Sequence, residues 1–140
     1  MPSSILSAPM ASIGVPTEIK ADELRVALTP DAVRDLVSQG LEVRIQAGAG
    51  EGAAIGDASF AAAGAKIVSK KEAWAAHLIV KVKEPQPEEF TFLREDMVLF
   101  TYLHLAAYPK VGQALITSGA TGIGYETVQM ENGSLPLLAP

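Results

Sequence analysis

From Ser12 to Gly124 short apolar runs of β type alternate with amphipathic helical patterns, and this alternation most constrains the fold. Such a chain builds parallel βαβ units, because parallel neighbours must be joined by a crossover long enough to hold a helix. Ser12–Pro16 reads as the first strand, stopped by Pro16. Thr29-Pro30-Asp31 then supplies an N-cap, a proline at the first helical position and an early acid. Val33, Leu36 and Val37 form that helix's buried stripe, and Gly40 its stop. The second strand is expected over Leu41–Gln46, a short helix capped by Asp57 runs to Ala63, and the third strand follows at Ala65–Val68. Ser69–Ala75 is a further crossover helix, and Leu78–Val82 the fourth strand. Pro87-Glu88-Glu89 opens a helical turn with Phe90 and Leu93 inward, before a fifth strand at Met97–Tyr102. A last helix spans Pro109–Ser118, with Val111, Leu115 and Ile116 at core spacing and Gly119 as stop. Ala120–Gly124 is the sixth strand, with Thr127-Val128 as its continuation. The expected architecture is α/β: a doubly wound, mostly parallel sheet with right-handed crossovers and helices on both faces.

Composition narrows the function. The chain of 140 residues is one domain's worth, and 49% hydrophobic against 19% charged residues marks a packed chain. A net charge of −5 argues against nucleic acid, which needs a clustered basic face. No apolar run reaches the roughly 20 residues of a membrane span. With no cysteine, thiol catalysis, thiolate metal sites and disulfides are excluded, which fits a cytoplasmic setting. Residues 1–11 read as a disordered extension, with Met10 as an alternative start, and residues 12–140 as the domain. The apolar, prolyl ending Ser134–Pro140 reads as a domain cut short.

Three residues stand where open α/β sheets bind ligands, at the carboxyl ends of the strands. Arg25 lies between strand one and its helix, flanked by Leu24 and Val26. Its plain reading is a surface pair with Glu23 or Asp22; its functional one is a guanidinium that grips a carboxylate bidentately. Lys81 and Lys83 alternate about Val82 and end the fourth strand, either as solvated lysines or with Lys83 entering a cleft. There an ammonium fixes a carboxylate or polarises a carbonyl oxygen. His104 ends the most apolar strand, as a rim residue or as an acid–base group titrating near neutrality. Together these suit a small anionic carbonyl compound such as a 2-oxo acid. His77 precedes the fourth strand at the wrong edge, so it receives no role, and no metal site emerges.

Gly48-Ala49-Gly50-Glu51-Gly52-Ala53 formally matches the dinucleotide fingerprint G-x-G-x-x-G/A. A glutamate inside the loop, a helix starting only near Asp57, and Lys70-Lys71 where an acid should hold the ribose all argue against it. No cofactor-binding residue is therefore assigned in this chain.

Six ordered motifs carry a resemblance to a known family: Ile13-Gly14-Val15-Pro16-Thr17-Glu18-Ile19-Lys20, Arg25-Val26-Ala27-Leu28-Thr29-Pro30, Gly48-Ala49-Gly50, Lys81-Val82-Lys83-Glu84-Pro85, Phe100-Thr101-Tyr102-Leu103-His104-Leu105-Ala106 and Tyr125-Glu126-Thr127-Val128-Gln129. Over Ile13 to Pro140 the chain resembles the amino-terminal, Rossmann-like substrate domain of alanine dehydrogenases. The resemblance implies NAD-dependent interconversion of L-alanine with pyruvate and ammonium. It implies that Arg25 binds the substrate carboxylate, Lys83 the carboxylate or carbonyl oxygen, and that His104 is the acid–base group. It also implies an NAD-binding domain, in cis or in trans, outside this chain, and assembly into a homo-oligomer. This part alone is then expected to be inactive, since nothing holds a hydride carrier against the substrate. The transhydrogenase α subunit has a similar domain without the lysine and histidine motifs, and saccharopine dehydrogenase is a more distant likeness. The alternative from another class is a non-catalytic ligand-binding or assembly module.

Overall fold

Local signals in the chain start and stop most elements close to where they were expected. The Thr29 hydroxyl accepts the Ala32 N–H, and with Pro30 in the first turn it opens α1 (Pro30–Ser38). Ser69 and Glu72 form a reciprocal capping box that opens the short α3 (Lys70–Trp74). Between these lies α2 (Asp57–Ala62), and α4 (Pro109–Ser118) comes last, stopped by Gly119 at φ +74°. These boundaries belong to a computed structural model that describes residues 11–138. Of the extension expected over residues 1–11, only Ala11 is described, its carbonyl accepting the Glu42 N–H; Met10 lies outside the described residues.

Six strands, β1 (Ser12–Val15), β2 (Glu42–Gln46), β3 (Lys66–Val68), β4 (Leu78–Val80), β5 (Val98–Thr101) and β6 (Thr121–Gly124), form one sheet. Their order is β3-β2-β1-β4-β5-β6 and every pairing is parallel. The direction of winding reverses between β1 and β4, so this is a doubly wound, Rossmann-like sheet with its switch point there.

Side-chain alternation along the strands divides the core between the two faces. Ile13, Val15, Val43, Ile45 and Val80 meet Val33 of α1 and Phe60 of α2 on one face. Ile79 and Leu99 meet Trp74, Leu93, Met97 and Val111 on the other. Phe60 and Trp74 are both essentially inaccessible to solvent, and burying side chains of this size contributes about 1.5–3 kcal/mol each. Gly14 faces the second cluster, where α3 crosses so close that a β-carbon would lie 1.9 Å from the Ala73 carbonyl oxygen.

Three local expectations are corrected and one is made more specific. Gly56, not Asp57, is the N-cap of α2; the Asp57 carboxylate instead reaches back to accept the Gly48 N–H at 2.9 Å. The β4–β5 crossover is a 3₁₀ helix over Pro87–Phe92, in keeping with its single turn of helical sequence. Ile116 is 77% exposed, because only Val111 of α4 is fully buried against the sheet. Beyond Gly124 the chain turns into a 3₁₀ helix over Tyr125–Thr127 instead of extending β6.

Candidate functional site

The carboxyl ends of β1, β4, β5 and β6 open onto one sheet edge, and the loops after them carry the charged residues singled out above. β4 ends at Val80, two residues sooner than expected, so Lys81, Val82 and Lys83 all lie in its exit loop. Lys81 is not a solvated strand-end lysine. Its side chain is 1% exposed, and its Nζ donates to Glu18 Oε1 at 2.9 Å and lies 3.6 Å from Glu89 Oε1. Glu18 itself sits in the β1 exit loop, directly across the switch point. Besides Lys81 it accepts the N–H groups of Val82 at 3.0 Å and Lys83 at 3.1 Å. The Lys81 carbonyl accepts the Tyr125 hydroxyl at 2.6 Å, and the Lys83 carbonyl accepts Thr101 Oγ1 at 2.9 Å. Burial, then the Glu18 charge, raise the pKa of Tyr125 far above the usual tyrosine range. The Lys83 backbone is thus fixed from β1, β5 and the segment after β6, while its side chain stays partly exposed.

A second carboxylate does the same for His104. Glu126 accepts the N–H of Leu103 at 3.1 Å and of His104 at 2.8 Å, and lies 3.9 Å from His104 Nδ1. Burial favours the neutral acid, but the main-chain N–H groups of His104, Glu126 and Leu103 outweigh it and lower the Glu126 pKa. His104 takes φ +49°, a left-handed conformation uncommon outside glycine, held by this carboxylate. Its ring stacks on Tyr102 at 5.7 Å between centroids and 15° between planes.

Arg25 adopts the plain surface pairing that its sequence allowed. Its Nε and Nη2 donate to Glu23 at 2.9 Å and 2.6 Å, and its side chain is 63% exposed. It also lines a cavity of about 430 Å³ with Ala27, Val82, Phe100, Tyr102 and Tyr125. Tyr102 connects this cavity to the His104 ring, and the Lys83 charge reaches Glu23. Arg25, Lys83 and His104 therefore share one edge, linked through Glu23 and Tyr102. Neither Lys83 nor His104 lines the cavity wall described for Arg25. Glu18 and Glu126 received no role from the sequence, and Glu23 was named there only as a plain surface partner of Arg25. Their signal was weak: isolated acids in loops, adjacent to residues already chosen.

The Arg25 hydrogen bonds, opposed by burial, take the Glu23 carboxyl from 4.5 to about 2. A depressed acid stabilises the fold above its unfolded pKa and loses that contribution as pH falls through the folded value. Urea midpoints measured from pH 5 downward should therefore drop between about pH 4.5 and 2, and Glu23→Gln should remove part of that drop. An identical profile in the variant would mean that the pair does not stabilise the fold.

Other features fall elsewhere. His77 lies at the opposite edge, its Nδ1 2.8 Å from the Ser12 hydroxyl. In the glycine loop, a β-carbon at Gly50 would meet Ile55 O at 2.5 Å and Phe60 at 2.7 Å, and one at Gly52 would meet Leu24 O at 2.8 Å. These glycines admit neighbouring parts of the same chain. With the Gly48 N–H given to Asp57, the loop does not fit a pyrophosphate. Among the described residues no group of three histidine, aspartate or glutamate side chains could hold a metal ion, and no helix is long and apolar enough to cross a membrane.

Comparisons with known proteins bear on the family and the fold. The family model described as alanine dehydrogenase/PNT, N-terminal domain, matches residues 14–140. Alanine dehydrogenase of Mycolicibacterium smegmatis is 55% identical over 130 residues, covering 91% of this chain and 35% of that protein. The Bacillus subtilis alanine dehydrogenase is 51% identical over 129 residues, covering 91% and 34%. A solved L-alanine dehydrogenase superposes with a TM-score of 0.88 at 50% identity, over 91% of this chain and 36% of its own. A transhydrogenase from Sinorhizobium meliloti gives a TM-score of 0.78 at 29% identity, over 82% and 33%. The chain thus spans about a third of the length of the relatives it matches.

Proposed function

This chain belongs to the alanine dehydrogenase/PNT family as an N-terminal domain, and from that premise we propose that it is the substrate-binding part of an NAD-dependent L-alanine dehydrogenase. The observation that carries the proposal is the placement of Arg25, Lys83 and His104 on loops after the carboxyl ends of β1, β4 and β5, each loop tied down by a carboxylate. Pyruvate offers one carboxylate and one carbonyl oxygen. The Arg25 guanidinium, whose Nη1 has no acceptor among the described residues, binds the carboxylate alongside Glu23. The Lys83 ammonium faces the carbonyl oxygen and stabilises negative charge there, an effect worth about 2.7–4 kcal/mol for one well-placed donor. His104 takes a proton from the water that replaces the amino group of the oxidised substrate, and returns it in the reverse direction. The nicotinamide would supply the hydride chemistry. The glycine loop of this chain does not fit that cofactor, so NAD binding is proposed for a domain outside the sequence described, in cis or in trans. The 140 residues alone are then inactive, and their setting is cytoplasmic. Exposed Ile116, Ile123 and Leu138 favour burial against further protein, consistent with a homo-oligomer.

Titrating the chain with pyruvate, followed by backbone amide shifts, tests the proposal. Weak saturable binding is expected, with shifts at Arg25, Lys83 and His104. Arg25→Ala should weaken it about ten- to hundredfold, the size of one lost charged hydrogen bond, and NAD should not bind. Undetectable pyruvate binding at high millimolar concentration, with retained association to a full-length alanine dehydrogenase, would instead support an assembly module.

A further inference from the structure

Beneath the site lies a cluster of three buried charged groups to which the proposed chemistry gives no part: Glu18, Lys81 and Glu89, each with a side chain no more than 1% exposed. Ionisable groups are seldom buried this completely, and one carboxylate would neutralise Lys81. Glu18 is the nearer, at 2.9 Å. Its oxygens are shared between the Lys81 ammonium and the consecutive N–H groups of Val82 and Lys83. Glu89 lies farther away, holds the Gln86 N–H through Oε1, and leaves Oε2 without a hydrogen-bond partner. Burial raises the pKa of Glu89, so it keeps a proton more readily than a free glutamate and leaves Lys81 to Glu18.

From this geometry, and resting on the reading of Lys83 as a substrate-binding residue, we infer that Lys81 and Glu18 are positioning residues that set the main chain of Lys83. Glu18 reaches from the β1 exit loop to the β4 exit loop and makes the main-chain tie across the switch point that fixes Lys83. Lys81 pairs with that carboxylate and orients it in a dry interior, where an unpaired charge is costly. Removing the ammonium therefore loosens the two N–H bonds, and Lys83 moves although its own side chain is intact. If both charges are removed together, as in Glu18→Gln with Lys81→Met, no buried charge is left unpaired, and the glutamine carbonyl oxygen still accepts one of the two N–H groups, which Glu18 holds through different oxygens.

Hydrogen exchange at Val82 and Lys83, with pyruvate titration of the same samples, tests this. In Lys81→Met both amides should exchange at least about tenfold faster than in the parent chain, while amides in β2 and β3 change less. Pyruvate affinity should fall by about ten- to hundredfold, the size of one charged hydrogen bond. The double variant should recover part of the protection, at one of the two amides at least, and part of the affinity. If Lys81→Met does not fold, the double variant carries the test, and exposed Val82 and Lys83 amides there would overturn the inference. Parent-like protection in a folded Lys81→Met would also overturn it. Parent-like pyruvate affinity despite lost protection would overturn the link from Lys81 to ligand binding. Failure of the parent chain to bind pyruvate, with the exchange pattern as expected, would overturn the substrate reading and leave the positioning role standing.

Discussion

Gly14→Ala is expected to lower the stability of this chain by on the order of 3 kcal/mol or more. A β-carbon there would sit 1.9 Å from the Ala73 carbonyl oxygen and 2.9 Å from its carbonyl carbon. Both atoms are main chain at the end of α3, so no side chain can swing aside. Relief requires β1 and α3 to part, and that opens the cluster of Trp74, Ala76 and Ile79. Overpacking of this kind costs on the order of 3 kcal/mol, and more where the obstacle is main chain. Gly56→Ala is the control, because its β-carbon meets nothing within 4 Å and its φ is −78°. That change should stay within about 1 kcal/mol. Urea unfolding followed by far-UV circular dichroism measures both. A Gly14→Ala midpoint equal to that of the parent would mean that β1 and α3 do not approach as described.

Glu18→Ala should produce the second large loss. It leaves the Lys81 ammonium buried beside a carboxyl that burial keeps protonated more readily, and it strips the acceptor from two main-chain N–H groups. Breaking a buried ion pair from one side costs about 3–5 kcal/mol, a large part of the 5–15 kcal/mol that holds a typical domain together. Glu18→Gln should cost less, since its carbonyl oxygen still accepts one of the two main-chain N–H groups. Adding Lys81→Met to Glu18→Ala should recover part of the loss, because no unpaired charge then remains. Denaturant midpoints for these proteins and for Lys81→Met alone, at pH 7, decide the matter. Strictly additive costs would show that Glu18 and Lys81 are not energetically coupled.

Much of the scaffold was legible because it rests on local chemistry. Thr29-Pro30 and Ser69 with Glu72 announce α1 and α3 through caps that need only neighbouring residues. The placement of apolar residues along each strand announces parallel strands that are covered on both faces. Arg25, Lys83 and His104 could be selected from their places after the first, fourth and fifth strands, since strand direction alone fixes the edge they reach.

What the sequence could not express is pairing across long separations. The Lys81-Val82-Lys83 triplet reads as two equivalent lysines about a valine, and nothing local says that one is sealed inside. That is decided by Glu18, 63 residues earlier, which the β1–β4 adjacency brings against the β4 exit loop. The same holds for Glu126, whose clamp on Leu103 and His104 exists only because β6 lies beside β5. The glycine loop shows the converse. Its spacing satisfied a ligand-binding pattern, and only the packing of Leu24, Ile55 and Phe60 against those glycines shows what the missing side chains make room for. The sequence by itself determined the order of elements, the two-faced core and the edge where the candidate site lies, because each follows from periodicity, caps and strand polarity. The tertiary structure alone decided which charges are buried and which face solvent, because burial of a charge depends on a partner that only the folded sheet brings within reach.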